Sequence, residues 1–229
     1  MLQHVYERAS QARYLTSTII ATDDERIFQA ARSFGAQVRM TRADHPSGTD
    51  RVAEIASATD AAIVVNIQGD EPLIDPGAID AAILPLEHDP DVLMATLSRR
   101  IEDPREIADP NVVKVVSNLA GDAVYFSRCP IPFDRDAAAK PASPLERPYF
   151  KHIGLYVYRR DFLLQYPTLP VGPLERAERL EQLRALENGY PIRVVETEYD
   201  SLGVDTPQDL ERVSRLFQAS LTQGVQSHG

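Results

Sequence analysis

Two adjacent carboxylates, Asp70 and Glu71, follow a run of apolar residues at positions 61–65. The β-branched side chains of that run favour a strand buried on both faces, as in a parallel sheet covered by helices. The run ends before Gly69, and ligands of open α/β sheets bind in the crevice outside the carboxyl ends of the strands. Because Mg2+ is commonly held by one or two carboxylates together with substrate phosphates, the pair is typical of metal-assisted phosphate chemistry. The structural alternative is a strand-to-helix turn with a solvated acidic pair.

Two other segments combine turn residues with the start of a helix. The loop 44–51 holds Pro46 and Gly48, which set a turn, and Gly48 also lets backbone approach a flat ligand. The free amides at the start of the following helix can bind an anion. Further along, Asp205 ends the segment 202–205 and precedes a proline and a helix. Each segment either binds a ligand or serves only as a helix cap.

Two strand-like segments carry side chains suited to an acidic sugar. Arg128 ends the first and precedes two prolines that stiffen the corner, and arginine suits bidentate recognition of a carboxylate. In the second, alternation places His152, Gly154, Tyr156 and Tyr158 on one face. A sugar-binding wall is one interpretation of that face, and hydrogen-bonded core tyrosines are the other. A purely structural arginine is likewise the alternative for Arg128.

The amino-acid composition limits the classes of protein to which this chain can belong. The chain has 229 residues, 43% hydrophobic and 25% charged, which is ordinary for a globular protein. Its net charge of -10 argues against general nucleic-acid binding, but a few local cations are enough to hold a nucleotide. Cys129 is the only cysteine, which excludes an internal disulfide and a cysteine zinc cluster and fits a reducing compartment. Without an apolar run of about 18 residues, the sequence predicts a cytoplasmic protein with no membrane span.

Strands and helices alternate up to residue 91, and these elements must position the candidate residues. Gly35 stops the second helix, and residues 42–50 form a polar loop. The pattern predicts helices at 1–13, 25–34, 52–57 and 76–87, with strands at 16–21, 37–41 and 61–67. Strands that alternate with helices indicate βαβ units and a parallel sheet.

After residue 91 the pattern changes, and predicted strands follow one another with few helices between them. Strands are predicted at 92–97, 112–116, 123–126, 152–158 and 192–197, a long loop at 129–148, and helices at 173–188 and 207–219. Leu180, Leu183 and Leu186 form the core stripe of the helix 173–188, which leaves Glu181 and Gln182 on its other flank. We expect one domain over residues 1–229, with a strand-rich extension at 92–160.

Taken in order, these motifs resemble the 3-deoxy-manno-octulosonate (Kdo) cytidylyltransferases. The matching runs lie at residues 3–9, 21–24, 40–51, 66–72, 112–116, 125–128, 151–156, 180–184 and 203–207. The resemblance spans nearly the whole chain, and the combination of motifs is highly specific. It implies an α/β fold of the nucleotide-diphospho-sugar transferase type, in which helices flank a Rossmann-like, mixed, mostly parallel sheet with a small inserted subdomain.

The resemblance also implies an activity and a role for each candidate residue. The reaction is transfer of CMP from CTP to Kdo, giving CMP-Kdo and pyrophosphate for lipopolysaccharide synthesis. Asp70 and Asp205 would be the catalytic Mg2+ ligands, so we expect their carboxylates to lie within about 10 Å of each other. The family implies a homodimer. The expected substrate-binding residues are Arg42, Ser47 and Gly48 around the cytidine, Gln68, and Arg128, His152, Tyr156 and Gln182 around Kdo.

Two alternatives to this activity stay open. One is a cytidylyltransferase for another acidic sugar, such as an amino-Kdo or a sialic acid, and the other is a non-catalytic binding remnant. Family members begin with a strand and a Gly-, Arg- and Lys-containing phosphate loop, and Met1 matches the family only after that loop. We therefore expect that Met1 is an internal methionine of a longer protein. We further expect a slot between the strands at 18–21 and 61–67, and a chain that is poorly soluble or inactive toward CTP.

Overall fold

The computed structural model describes residues 1–135, 149–204 and 206–226, with side chains described to residue 217. Asp205 and most of the loop expected at 129–148 lie outside the described residues. The helices are α1 Leu2–Ala9, α2 Glu25–Ser33, α3 Gly48–Ser57, α4 Pro76–His88, α5 Pro104–Ala108, α6 Arg160–Gln165, α7 Pro173–Glu178, α8 Leu183–Glu187 and α9 Pro207–Gln226. The strands are β1 Ile20–Thr22, β2 Val38–Met40, β3 Ile63–Asn66, β4 Met94–Arg100, β5 Lys114–Ser117, β6 Ala123–Ser127, β7 Phe150–Arg159 and β8 Arg193–Glu196.

The strands form a two-stranded parallel sheet, β1–β2, and a six-stranded mixed sheet in the order β6-β5-β7-β4-β8. In the larger sheet β3 pairs with β7, on the side of β7 that also carries β5. Strands β3, β4, β5 and β8 run in one direction, and β6 and β7 run against them. The predicted α/β class with a mixed, mostly parallel sheet is confirmed. The carboxyl ends of β3, β4 and β8 therefore meet at one edge.

Helices cover both faces of the larger sheet, and each face carries its own apolar cluster. Helices α1 and α4 pack on one face, where β7 contributes Ile153, Leu155 and Val157. Helices α3, α6 and α8 pack on the other face around Phe126 and Tyr158. Among the described residues, no helix is both long enough and apolar enough to cross a membrane. The division into a domain and an extension at 92–160 stays a prediction.

A cavity separates β1 from β3. The two strands do not pair with each other; β1 pairs with β2 and β3 with β7. Between them lies a cavity of about 380 Å3, lined by α1, α3 and both strands. The slot predicted at this place is confirmed. Strand β3 packs on both faces as expected, with Ile63 and Val65 against one apolar cluster and Val64 against the other, but all four of its residues are only half-buried beside this cavity.

The single helix predicted at 173–188 is in fact two helices. Helix α7 ends where Arg179 adopts a left-handed backbone with φ 53°, and α8 begins only at Leu183. The chain can turn here because the Arg128 Nε donates to the carbonyl of Glu178, at 2.9 Å. The Glu187 carboxylate also accepts the first amides of α7, from Leu174 at 2.8 Å and Glu175 at 2.9 Å. As a result Gln182 is buried at 4% exposure and does not lie on an outer flank.

Candidate active site

The loop after β3 gives its two carboxylates different surroundings. Asp70 is half-buried, whereas Glu71 is 6% exposed. The Glu71 carboxylate accepts hydrogen bonds from the Tyr199 hydroxyl at 3.1 Å and the Ser201 hydroxyl at 2.7 Å. Burial raises the pKa of Glu71, although those two hydrogen bonds oppose the shift. Glu71 is therefore committed to protein contacts, and Asp70 is the better candidate for a metal or phosphate ligand.

The segment after β8 lies directly on the loop that carries Asp70. The Val204 amide donates to the main-chain carbonyl of Asp70 at 3.0 Å, although the two residues are far apart in sequence. Asp205, the next residue, is outside the described part of the chain, so its distance from Asp70 stays a prediction. Within the described residues, no group of three or more His, Cys, Asp or Glu side chains could hold a metal. Hard oxygen donors beside a phosphate nonetheless suit Mg2+, which needs only one or two carboxylates.

A network of ion pairs anchors the same segment to β4 and β7. The Asp200 carboxylate lies 2.9 Å from an Arg99 guanidinium nitrogen and 2.7 Å from the Lys151 ammonium. Arg99 also pairs with Glu102 at 3.0 Å, and Lys151 with Glu106 at 2.8 Å. Both cationic side chains are mostly buried, at 17% and 11% exposure, so solvent screens these pairs less than surface pairs. The network fixes the segment after β8 at the carboxyl edge of the sheet.

The predicted aromatic wall is present on β7. The rings of His152 and Tyr156 lie 5.3 Å apart, and those of Tyr156 and Tyr158 lie 6.1 Å apart. Phe126 meets the imidazole edge-on at 5.1 Å. A Cβ added at Gly154, between the first two rings in sequence, would meet nothing within 4 Å. The wall therefore has open space at Gly154, whereas Tyr158, at 1% exposure, belongs to the apolar core.

The His152 imidazole is held in one neutral tautomer. Its Nε2 lies 2.9 Å from the Thr96 hydroxyl, which also lies 2.8 Å from the Leu155 carbonyl. Because that carbonyl can only accept, the Thr96 hydrogen goes to it and the Thr96 oxygen accepts from Nε2–H. Burial lowers the pKa of His152 to about 3. The Nδ1 lone pair is thus left to accept a hydrogen bond.

The loop before α3 joins the turn between α7 and α8. Ser47 caps α3, since its hydroxyl accepts from the Asp50 amide, and the helix therefore begins at Gly48, four residues earlier than predicted. The same hydroxyl contacts the Asp50 carboxylate and lies 2.9 Å from the Glu181 carboxylate. Burial raises the pKa of Glu181, and the charge of Asp50 adds to the shift. Sequence reasoning missed Glu181, whose one indication was its position beside Gln182.

The two predicted binding arginines differ in their surroundings. Arg128 is half-buried, and its Nε and Nη1 donate to the carbonyls of Glu178 and Pro110, both at 2.9 Å. Arg42 is exposed, and its guanidinium lies 3.3 Å from Asp44. The corner at Arg128 is therefore rigid, whereas the side chain of Arg42 is not enclosed.

Comparison with known proteins identifies the family. The cytidylyltransferase family model matches residues 1–197. The 3-deoxy-manno-octulosonate cytidylyltransferase of Solibacter usitatus is 79% identical over 98% of this chain and 87% of its own length. The corresponding protein of Syntrophotalea carbinolica is 56% identical over 93% of this chain and 86% of its own length. The chain belongs to the 3-deoxy-manno-octulosonate cytidylyltransferase family.

Solved structures agree with this membership. A CMP:2-keto-3-deoxy-manno-octonic acid synthetase complexed with CTP superposes with a TM-score of 0.88 at 44% identity, covering 96% of this chain and 88% of that chain. The 4-diphosphocytidyl-2C-methyl-D-erythritol synthase of Anaerococcus prevotii matches at 13% identity with a TM-score of 0.61, covering 95% of this chain and 88% of that chain, and so shares the fold alone.

In this cytidylyltransferase the predicted site residues fall into two groups. Gly48, expected at the cytidine, and Gln68, expected to bind substrate, both line the cavity between β1 and β3. His152 and Tyr156, expected at the sugar, form the wall on β7. Gln68 and Asp70 lie on the loop after β3, at the carboxyl edge of the sheet, whereas His152 and Tyr156 lie on β7 itself. The individual roles of these residues stay predictions.

Proposed function

We propose that this chain transfers CMP from CTP to Kdo, releasing CMP-Kdo and pyrophosphate for lipopolysaccharide synthesis. The observation that carries the proposal is 79% identity, over nearly the whole chain, to a relative named for this reaction. The site chemistry supports it, because carboxylates, an acid-recognising arginine and an aromatic wall lie on neighbouring elements. A homodimer and a cytoplasmic location remain predictions from the sequence.

We propose Asp70 and Asp205 as the ligands of Mg2+. The Val204–Asp70 hydrogen bond at 3.0 Å supports this pairing, because it brings the residue before Asp205 onto the Asp70 loop. Glu71 is not a ligand in this proposal, since both of its oxygens accept hydroxyl hydrogen bonds. When bound, the metal would neutralise phosphate charge and make the attacking hydroxyl easier to deprotonate.

The chain's own residues would position the sugar. The neutral His152 offers Nδ1 as an acceptor for a sugar hydroxyl, and Tyr156 supplies a flat apolar face beside it. Arg128 would bind the sugar carboxylate from its rigid corner, and the buried Gln182 would add an amide contact. The anomeric hydroxyl would then bond to the α-phosphorus as the bond to the pyrophosphate oxygen breaks, with its proton passing to solvent. Such transfer depends on positioning and charge stabilisation more than on covalent catalysis.

We propose that the cytidine and phosphates occupy the opposite side of the site. Gly48 and Gln68 line the cavity between β1 and β3, and Gly48 begins α3, a helix start of the kind that can bind an anion. Ser47 fixes the start of that helix through its cap. Arg42 is exposed on the loop before it and would close over the nucleotide.

The test is pyrophosphate release from CTP with Kdo, an amino-Kdo or a sialic acid, with and without Mg2+. The chain is assayed as given and with the N-terminal strand and phosphate loop of a family member joined ahead of Met1. Asp70→Asn is compared with Asp91→Asn, which neutralises an exposed carboxylate on the loop before β4. We expect release that depends on CTP, Kdo and Asp70. Pyrophosphate release only with a sugar other than Kdo would refute the proposal. So would the absence of release with all three sugars from both forms of the chain.

A further inference from the structure

Glu71 is a buried carboxylate for which the proposed reaction has no use. It is 6% exposed, and its oxygens accept from Tyr199 and Ser201, which are 128 and 130 positions away. The contacts join the loop after β3 to the loop after β8. Burying a carboxylate is costly unless it is hydrogen-bonded, and here both oxygens have donors. The burial of Glu71 therefore depends on the second loop lying in its observed place.

The two loops that Glu71 joins are the ones that carry the proposed metal ligands. Asp70 directly precedes Glu71, and the segment that begins at Tyr199 leads through Val204 to residue 205. The Val204–Asp70 main-chain bond lies at the far end of that segment, and the Asp200 ion pairs lie near its start. Glu71 is a side chain of the Asp70 loop that holds this segment directly, through its hydrogen bonds with Tyr199 and Ser201.

We propose that Glu71 is a positioning residue that holds the segment 199–204 against the loop of Asp70 and thereby keeps the Asp70 carboxylate in place for the proposed metal. This inference rests on the proposed function. Mg2+ demands near-ideal octahedral geometry, with ligand distances near 2.1 Å. A misplacement of about 1 Å in a catalytic group can lower turnover about 100-fold. A residue that fixes the position of a metal ligand thus affects turnover without touching substrate or metal.

The test combines a hydrogen-exchange measurement, which does not require enzymatic activity, with a kinetic measurement, which does. Amide hydrogen exchange at Val204 reports the main-chain bond to Asp70 directly. Glu71→Gln keeps the shape of the side chain but removes an acceptor, and Tyr199→Phe keeps the ring but removes a donor. We expect Val204 to exchange about tenfold faster in each variant, the factor that loss of one hydrogen bond of ordinary strength produces. In the active enzyme we expect kcat to fall and the Mg2+ concentration for half-activity to rise, each about tenfold, with the KM for CTP little changed.

The matched control is Ile192→Val, which trims a fully buried side chain at the opposite end of β8. It should lower the melting temperature without changing Val204 exchange or the Mg2+ requirement. Val204 exchange that is unchanged in both Glu71→Gln and Tyr199→Phe would overturn the inference. So would a Glu71→Gln enzyme that behaves as Ile192→Val does. If the parent chain fails to use CTP and Kdo, the proposed function fails, but Val204 exchange still decides the role of Glu71.

Discussion

Mild acid should destabilise this protein through His152. The folded structure lowers the pKa of His152 to about 3, because the imidazole is enclosed beside Phe126 and Tyr156. In the unfolded chain the same group titrates near its ordinary value of about 6.5. Below that value the unfolded state binds a proton that the folded state does not bind. The stabilisation is therefore complete above pH 6.5 and is lost progressively as the pH falls toward 3.

The size of the effect follows from the gap between the two pKa values. Each pH unit inside the window removes at most about 1.4 kcal/mol, so pH 5, about 1.5 units below the unfolded value, removes at most about 2 kcal/mol. Because His152 keeps some solvent contact, we expect a loss of about 1–2 kcal/mol between pH 7.5 and pH 5.

Urea unfolding at the two pH values measures this loss. In His152→Gln, whose amide can still donate to Thr96, the part of the pH dependence that His152 causes should disappear. His88→Gln, which changes an exposed histidine at the end of α4, is the control and should behave as the parent does. The reasoning is refuted if His152→Gln and the parent lose the same free energy of unfolding between pH 7.5 and pH 5.

Four further outcomes are expected. Asp70→Asn should lower kcat about 100-fold with CTP affinity retained, because it weakens charge stabilisation in the transition state; unchanged turnover would exclude Asp70 as a ligand. Arg128→Lys should raise the KM for Kdo about tenfold, since lysine lacks the planar fork and the anchor on the Glu178 carbonyl; a titration in which only CTP binding weakens would place Arg128 on the nucleotide side. Gly154→Ala should leave the melting temperature nearly unchanged, because a Cβ there meets nothing within 4 Å, but should weaken sugar binding. Glu175→Ala should cost about 3–5 kcal/mol in urea unfolding, because it leaves the buried Arg184 without its bidentate partner.

Sequence reasoning succeeded where a local pattern decides the structure. The Asp24 carboxylate caps α2 by accepting from Arg26 and Ile27, and Gly35 follows that helix with φ 79°, both as their residue types indicate. It was incomplete for β3, because an apolar run reports which faces of a strand are covered and not whether both edges are paired. The half-buried state of that strand follows from the cavity at its edge.

The remaining failures come from contacts between distant residues. The helical periodicity of residues 173–188 does not show that the Glu187 carboxylate caps α7. Nor does it show that the Arg128 guanidinium donates a hydrogen bond to the Glu178 carbonyl. The partners of Glu71 lie beyond residue 198, so its adjacency to Asp70 gave no sign of a separate role. Glu181 was overlooked for the same reason, since Ser47 lies 134 positions away.

Phosphorus NMR of the reaction product most directly tests whether CMP is transferred to Kdo. The chain, as given and with the added N-terminal strand and loop, is incubated with CTP, Mg2+ and an equimolar mixture of Kdo and a sialic acid. We predict the disappearance of the CTP signals, the appearance of pyrophosphate, and one phosphodiester signal from a product that mass spectrometry identifies as CMP-Kdo. A phosphodiester formed only with the sialic acid, or pyrophosphate released without any phosphodiester, would contradict the assignment.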